Sequence, residues 1–368
     1  MNLPVLDGSD RITNSRMSAY KTCQRKHHLA YTLGIRSDQS SALRMGSAFH
    51  HGLDLLSTGT PSRDATDRAV SAAYAAMPDW CVTPEQQSEW VIEAVTVDAM
   101  ISGWAARYSI GAPLEPRLEI SVVVASELPF DLPIINPESG KPSRTYRVAG
   151  KIDRIARMGD GRLALVEHKT ASESIDPGAD YWRKLQIDQQ ISLYVLAARQ
   201  LGHPVETVIY DVVRKPAIAP KAVPVLDSAG QKIVVDAAGS RVYLPSGKPR
   251  QSAASELGYS LSTRQETPDE FQHRLGLDMI ERPDFYFARR EIPRLGSDIA
   301  LFAEELWQIA EQMRESERKG RAFRNTQACG MYGRCPYLDI CHLDINASSV
   351  LPSGLVRVNH IHPELQGV

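Results

Sequence analysis

The stretch GKIDRIARMGDGRLALVEHKT, residues 150–170, constrains the fold more than any other. Two runs rich in β-branched and apolar residues flank Gly159–Asp160–Gly161, the pattern of two strands joined by a tight turn. A three-residue hairpin loop places glycine in the left-handed conformation at its end. On that register Met158 pairs with Arg162, and Asp153 faces Glu167 on one side of the sheet. Lys169, two residues further on, shares that side. Like charges directly across a strand pair are destabilising, and a hard divalent cation between two carboxylates relieves the repulsion. A neighbouring lysine can orient a water or stabilise developing negative charge. Two alternatives stay open: an ordinary solvated face, or a loop of two or four residues, which would send the carboxylates to opposite faces.

Around this hairpin the chain is mostly helical. ITNSRMSAYKTCQRKHHLAY, residues 12–31, reads as one helix capped by Asn14 or Ser15, with Met17, Tyr20 and Cys23 at helical spacing. ALRMGSAFHHGLDLLS carries the stripe Met45, Phe49, Leu53 and Leu56. Helical patterns follow near 63–77 and 85–108, the second with Trp90, Val97, Ile101 and Trp104. Residues 118–125, LEISVVVA, predict a strand, and the Pro-rich 126–143 a loop. A helix around 181–201 leads to a strand at 205–215, VETVIYDVVRK. Residues 216–262, rich in Gly, Pro and Ser, predict an insertion or flap. Helices close the pattern at 268–281 and 297–319, the latter with Ile299, Phe302, Leu306, Ile309 and Met313 in one stripe. Helices, a small sheet and helices again imply an α/β or α+β core.

The 368 residues are 43% hydrophobic, enough for a substantial core, and the net charge of −2 projects no global field toward nucleic acid. One local excess stands out. From Arg214 to Arg250 there are seven basic residues against Asp227 and Asp236. Lys221, Lys232, Arg241, Lys248 and Arg250 are therefore candidate phosphate contacts, with a solvated flap as the alternative. The amino terminus lacks a basic segment followed by an apolar one, and no apolar run is long enough to span a bilayer. Five cysteines in such a chain do not make a disulfide framework. A soluble, cytoplasmic protein of a bacterial or phage-infected cell, with no membrane partner, is the expectation.

GKIDRI followed by LVEHKTA resembles the G-x-x-D and E-x-K motifs of the PD-(D/E)XK nuclease superfamily. MGSAFHHGL resembles the G-x-x-x-H motif of its RecB-like branch, giving Gly46 and His50. QQISLYVLA resembles the Q-x-x-x-Y motif, giving Gln190 and Tyr194. The motifs keep the family order across residues 15–200. The resemblance implies a restriction-endonuclease-like core, a small mixed sheet flanked by helices. It also implies magnesium or manganese held by His50, Asp153, Glu167 and the backbone carbonyl of His168, with Lys169 as the catalytic lysine. Gln190 and Tyr194, i and i+4 on one helix, would serve the same site or a DNA phosphate. His51 competes with His50, and only the motif spacing favours His50. His168 stands where the family pattern is apolar, which implies that the opposite face is partly wet. Glu119 on the preceding strand reads as an exposed carboxylate.

Cys329, Cys335 and Cys341 stand six apart. Structural zinc ligands come as close pairs such as C-x-x-C; none exists here, but zinc stays open as the alternative. One RecB-like subgroup, including the AddB nuclease subunit and the CRISPR-adaptation exonucleases, carries a 4Fe-4S cluster with one cysteine before the nuclease core and three after it. By that resemblance Cys23 is the fourth ligand, and Cys81 falls outside the set. The cluster would join N- and C-terminal helical parts of one domain spanning 1–368: 15–110, a core at 111–215, the flap at 216–262, and 263–368. The function so implied is a metal-dependent deoxyribonuclease, an exonuclease in recombination, repair or phage DNA processing. Its partners would be DNA and a helicase or recombination protein, since no G-x-x-x-x-G-K-[ST] motif is present. The alternatives are a non-cleaving DNA-binding or assembly factor, and a zinc-stapled endonuclease or RNase of the same superfamily.

Overall fold

The structure, a computed structural model, describes residues 7–109, 115–331, 333–343 and 350–365. The expected boundary at 110/111 lies outside them. The chain opens with β1 (Arg11–Ile12), α1 (Asn14–Thr22), α2 (Gln24–His27), a π-helical turn at His28–Thr32 and β2 (Ile35–Ser37). The single helix expected over 12–31 is thus broken, and Thr13 caps it rather than Asn14 or Ser15. The Thr13 hydroxyl accepts from the Arg16 N–H at 3.2 Å, a contact worth about 1 kcal/mol. Cys23 ends α1 in an extended conformation, φ −164° and ψ 117°, so it does not continue the Met17–Tyr20 face. Asn325 from the far end of the chain occupies this helix end. Its side-chain amide donates to the Thr22 carbonyl at 2.9 Å and its backbone N–H to Cys23 Sγ at 3.3 Å.

Three helices follow, α3 (Ser41–Ser57), α4 (Ser62–Tyr74) and α5 (Pro84–Ser109), close to expectation. Then come β3 (Ile120–Ile135), β4 (Pro142–Met158) and β5 (Leu163–Ala171). The loop expected over 126–143 is mostly strand: β3 runs on through Pro129 and Pro133, opposite Lys151 and Arg147. Among the described residues it pairs only with β4, and an edge strand tolerates prolines whose missing N–H faces away from the ladder. The helix expected over 181–201 is two, α6 (Asp180–Leu185) and α7 (Gln189–Gln200), because Asp188 caps the second through the Gln190 N–H at 2.9 Å. Next is β6 (Thr207–Arg214). The insertion holds only short strands, β7 (Ala222–Pro224), β8 (Val234–Val235), β9 (Ser260–Leu261) and β10 (Thr263–Gln265). The chain closes with α8 (Pro268–Glu281), α9 (Pro283–Tyr286), β11 (Phe287–Glu291), α10 (Gly296–Lys319), α11 (Leu338–His342) and β12 (Leu355–Arg357).

The central sheet is mixed, in the order β1-β4-β5-β6-β11 with β3 added on β4. Because β3 lines one edge of β4, β1 and β5 share the other. There β1 pairs at Arg147–Val148 and β5 at Arg154–Arg157. Among the described residues the stretch of β4 between them has no strand neighbour on that edge, and the sheet forks. Helices cover both faces. On one, α7 and α10 pack Ile191, Phe302, Leu306 and Met313 against Ile155, Leu165 and Tyr210; each such burial contributes about 1.5–3 kcal/mol. On the other, α3, α5 and α8 bring Phe49, Ile101 and Phe271 against Val213. A separate small core of Leu29, Tyr31, Ile35, Tyr337, Ile340 and Ile361 joins the two ends of the chain, where β12 pairs antiparallel with β2. No helix among the described residues is long and apolar enough to cross a membrane.

Candidate active site

The hairpin register agrees with the sequence. Met158 N–H donates to Arg162 at 2.9 Å, Gly161 has φ +88°, and Arg157 faces Leu163 through to Arg154 facing Val166. One step further, Asp153 and Glu167 face each other, but the strands have parted. Asp153 Oδ2 instead accepts the His168 backbone N–H at 3.1 Å, bridging the fork. Gly150, the glycine of the G-x-x-D motif, is required by packing: a Cβ there would lie 2.6 Å from the Phe130 ring.

The fork is the floor of a cavity of about 810 Å³, lined by Gly46, His50, Asp153, Glu167, Lys169, Gln190 and Tyr194 among others. Residues from four separated motifs therefore meet in one place. Arg154 donates to the Leu53 carbonyl at 3.2 Å and docks α3 on the sheet. One turn earlier on that helix, His50 Nδ1 comes within 3.5 Å of Asp153 Oδ2. His51 is exposed on the cavity rim. Lys169 Nζ donates to Glu167 Oε1 at 2.7 Å and Gln190 Oε1 at 2.6 Å, and lies 3.5 Å from Asp188. Gln190 in turn donates to the Tyr194 hydroxyl at 3.1 Å. Glu167 Oε2 is buried with no hydrogen-bond partner among the described residues.

Burial, with the Glu127 charge added and Lys169 opposing, pushes the Asp153 carboxyl up to about 7. Burial and the Asp153 charge push Glu167 up to about 8. Two carboxylates so destabilised are a ready binding site for a cation. Burial lowers the His50 pKa, which favours the neutral, ligand-competent imidazole. For Lys169 burial opposes the charge, but Glu167 and Asp188 overcome it and hold the ammonium above its usual range.

Two contributors escaped the sequence reading. Asp188, the cap of α7, faces Lys169; an Asp directly before QQISLY was the available signal. Glu127 lies in the Pro-flanked segment read as a loop. Its ligand atoms, with those of His50 and Asp153, lie within 4.8 Å of one another. It is also the one described non-glycine residue with positive φ, +50°. Glu119 is exposed beside the hairpin, as expected.

The far side of β5 is dry, which corrects the expectation of a wetted face. His168 is 3% exposed, with Nδ1 3.4 Å from Asp211 Oδ2. Asp211 also accepts from Trp104 Nε1 at 3.0 Å and Arg289 at 2.8 Å. Burial pushes the His168 imidazole down to about 4, leaving it neutral. The histidine is there because β6 offers an aspartate as its neighbour, which no local pattern in β5 reveals.

A sequence model of the PD-(D/E)XK nuclease superfamily matches residues 11–342, most of the chain. The chain belongs to this superfamily. PD-(D/E)XK nucleases use divalent metals, and the His50–Glu127–Asp153 group is a possible metal site of this one. Two curated relatives, each a subunit of an ATP-dependent helicase/deoxyribonuclease, come from Streptococcus equi subsp. zooepidemicus strains MGCS10565 and H70. Each is 26% identical over 230 residues, 59% of this chain and 19% of the relative. The chain thus spans about a fifth of their length. A crystal structure of a candidate exonuclease from Eubacterium rectale aligns over 98% of this chain and 95% of its own, at 11% identity and TM-score 0.41.

Cys23, Cys329, Cys335 and Cys341 all line a second cavity, of about 170 Å³, with Lys26 and Arg324 beside them. All four are half-buried. Burial raises the Cys335 thiol pKa. Cys81 is apart, buried in the helical core with its thiol donating to the Gln86 carbonyl at 3.3 Å. In the insertion Lys221, Lys232 and Lys248 are exposed, Arg241 is ion-paired with Asp227, and Arg250 bonds the Ser252 carbonyl at 3.0 Å. None of the five lines the large cavity.

Proposed function

We propose that the chain is a divalent-metal-dependent deoxyribonuclease, an exonuclease in recombination, repair or phage DNA processing, acting as one nuclease unit. The observation that carries this reading is the fork itself, where Glu167 presents a buried, unpartnered oxygen next to Asp153. A pure binding module has no use for two buried carboxylates facing each other across parted strands. His50, Asp153 and Glu167, with the His168 carbonyl, would hold magnesium or manganese. A cation bound there activates water and neutralises phosphate charge. Lys169, fixed by Glu167 and Gln190, presents an ammonium that can orient the attacking water or donate to a phosphate oxygen. Gln190 and Tyr194 keep that ammonium aimed. The exposed lysines of the insertion, Lys221, Lys232 and Lys248, with Arg241 and Arg250, supply phosphate contacts away from the fork. The helicase in the relatives' name favours a helicase partner for this chain.

Cys23, Cys329, Cys335 and Cys341 line one cavity, which supports a shared group there: a 4Fe-4S cluster, with zinc as the alternative. The test is digestion of linear and circular DNA, single- and double-stranded, by protein prepared without air, with magnesium, manganese or chelator. Metal-dependent loss of linear DNA with circles spared is the expected result. Cutting of circles would make it an endonuclease, and binding without cutting in every condition would leave only the non-cleaving alternative.

A further inference from the structure

We infer that the groove between α1 and the turn joining α6 to α7 binds single-stranded DNA, leading the strand from the fork to a basic lip beside the cysteine cavity. This rests on the deoxyribonuclease reading above and adds to it the form of the substrate and its path. The groove has a volume of about 420 Å³. It shares Asn14 with the cavity at the fork and Asn325 with the cysteine cavity, so it runs from one to the other. Gln189 ties its two walls together: its amide donates to Asn14 Oδ1 at 2.9 Å and its Oε1 accepts from Lys21 Nζ at 2.9 Å. The next residue, Gln190, holds Lys169, so the groove begins one residue from the fork. Asp188 is the one acid among the described lining residues, and it already faces Lys169.

Two distant segments build the lip. Asn325 bonds Thr22 and Cys23, and the Phe323 carbonyl accepts the Arg25 N–H at 3.0 Å, which lays residues 323–325 along the junction of α1 and α2. Arg324 thereby joins Lys26 at the cysteine cavity, with Lys21 in the groove beside Asn325. Among the described residues none of these three cations is in an ion pair, whereas neighbouring Arg16 and Arg318 are bound to Glu317 and Glu315. An unpaired cation gives up no partner when it meets a phosphate. Independently, three apolar side chains project into solvent along the same path: Ile187 is 85% exposed, Phe323 66% and Met331 55%. Ile187 and Met331 line the groove, and Phe323 stands next to Arg324. Unpaired bases stack on such side chains while cations track the phosphates. A duplex presents only base edges in its grooves, so these exposed faces favour a single strand.

The test is equilibrium binding of a fluorescent oligothymidylate to the whole chain, prepared without air and with chelator present so that no strand is cut. Wild type is compared with Lys21→Ala, Arg324→Ala, Phe323→Ala and Arg199→Ala, the last an exposed cation at the far end of α7. Phe323→Ala should weaken binding roughly tenfold, the size of losing one stacked base, and leave its salt dependence alone. Lys21→Ala and Arg324→Ala should each lower the slope of log affinity against log salt by about 0.7, the single-strand value. Arg199→Ala should change neither quantity, and a duplex of the same length should bind Phe323→Ala as it binds wild type. Unchanged affinity in Phe323→Ala, or unchanged slopes in both Lys21→Ala and Arg324→Ala, would overturn the path. An equal loss in Arg199→Ala would overturn it too, by reducing it to bulk charge, and an equal loss for duplex would overturn the single-strand assignment. The expected binding losses in a protein that cuts no DNA once metal is restored would support the groove and overturn the nuclease reading instead. Thermal melts of all five proteins separate these results from loss of fold.

Discussion

At the fork between β4 and β5 nearly every chemical side chain hangs from regular structure, whereas the four cysteines surround their cavity on irregular chain. Asp153, Glu167 and Lys169 are set by strand register, and His50 and Gln190 by long helices docked on the sheet. Cys23 is an extended break between two helices, Cys329 ends a short 3-10 turn, Cys335 lies in a loop, and Cys341 sits in a five-residue helix. A site built on a paired sheet keeps its shape without its ion. A site built on loops takes much of its order from what it binds. The fork should therefore fail chemically when altered, and the cysteine cavity structurally.

The largest effect should come at the fork. Lys169→Ala is expected to lower the cleavage rate by roughly 10²–10³-fold, the size of losing one charged transition-state donor, and Asp153→Ala by more. Thermal melting should be unchanged or raised in Asp153→Ala, because a buried carboxyl displaced to about 7 is removed. A large drop in melting temperature with either change would erase the contrast between the two regions.

Cys23→Ser should act the other way. Iron and brown colour should be lost, and hydrogen exchange should rise together in α1 and around 323–343, where Asn325 bonds Cys23 and Thr22. Activity should fall only through that loosening, and Cys81→Ser should change none of these. Zinc in place of iron would keep the staple and refute the cluster; full iron in Cys23→Ser would refute the ligand.

A smaller effect follows from acid. The folded pKa values of Asp153 and Glu167, about 7 and about 8, lie above their unfolded values, so without a cation both take up protons as pH falls through 8 and 7. A cation must displace those protons. Its affinity should fall by about tenfold per pH unit for each proton displaced between pH 8 and 6, while His50, already favoured as neutral, adds little. The rise in melting temperature produced by Mn²⁺ should thus be larger at pH 8 than at pH 6. A rise independent of pH would mean that both carboxylates are already ionised.

The smallest effect belongs to the insertion. Neutralising Lys221, Lys232 and Lys248 together should reduce the slope of log affinity for DNA against log salt by about 0.7–0.9 for each phosphate left without its lysine. Arg241, already paired with Asp227, should contribute less. An unchanged slope would make this surface a bystander.

The sequence made legible what depends on local period and turn chemistry. The Gly159–Gly161 loop announced the register, and the stripes of α3, α5 and α10 announced their buried faces. Distant partners decided the rest. Cys23 breaks its helix because Asn325 caps it from the other end of the chain. β3 tolerates Pro129 and Pro133 because, among the described residues, no strand pairs with its outer edge, and with that strand hidden in a presumed loop Glu127 was invisible. β11 went unread because its charges, Arg289 among them, are buried against Asp211 on β6.

The central claim, that the parted carboxylates of β4 and β5 hold a divalent cation, is tested most directly by anomalous diffraction from crystals soaked in Mn²⁺. The account predicts manganese within bonding distance of both Asp153 and Glu167, with the Lys169 ammonium still beside the site. Crystals with no manganese at the fork, or with manganese bound elsewhere while Asp153 keeps only its bond to the His168 N–H, would contradict it.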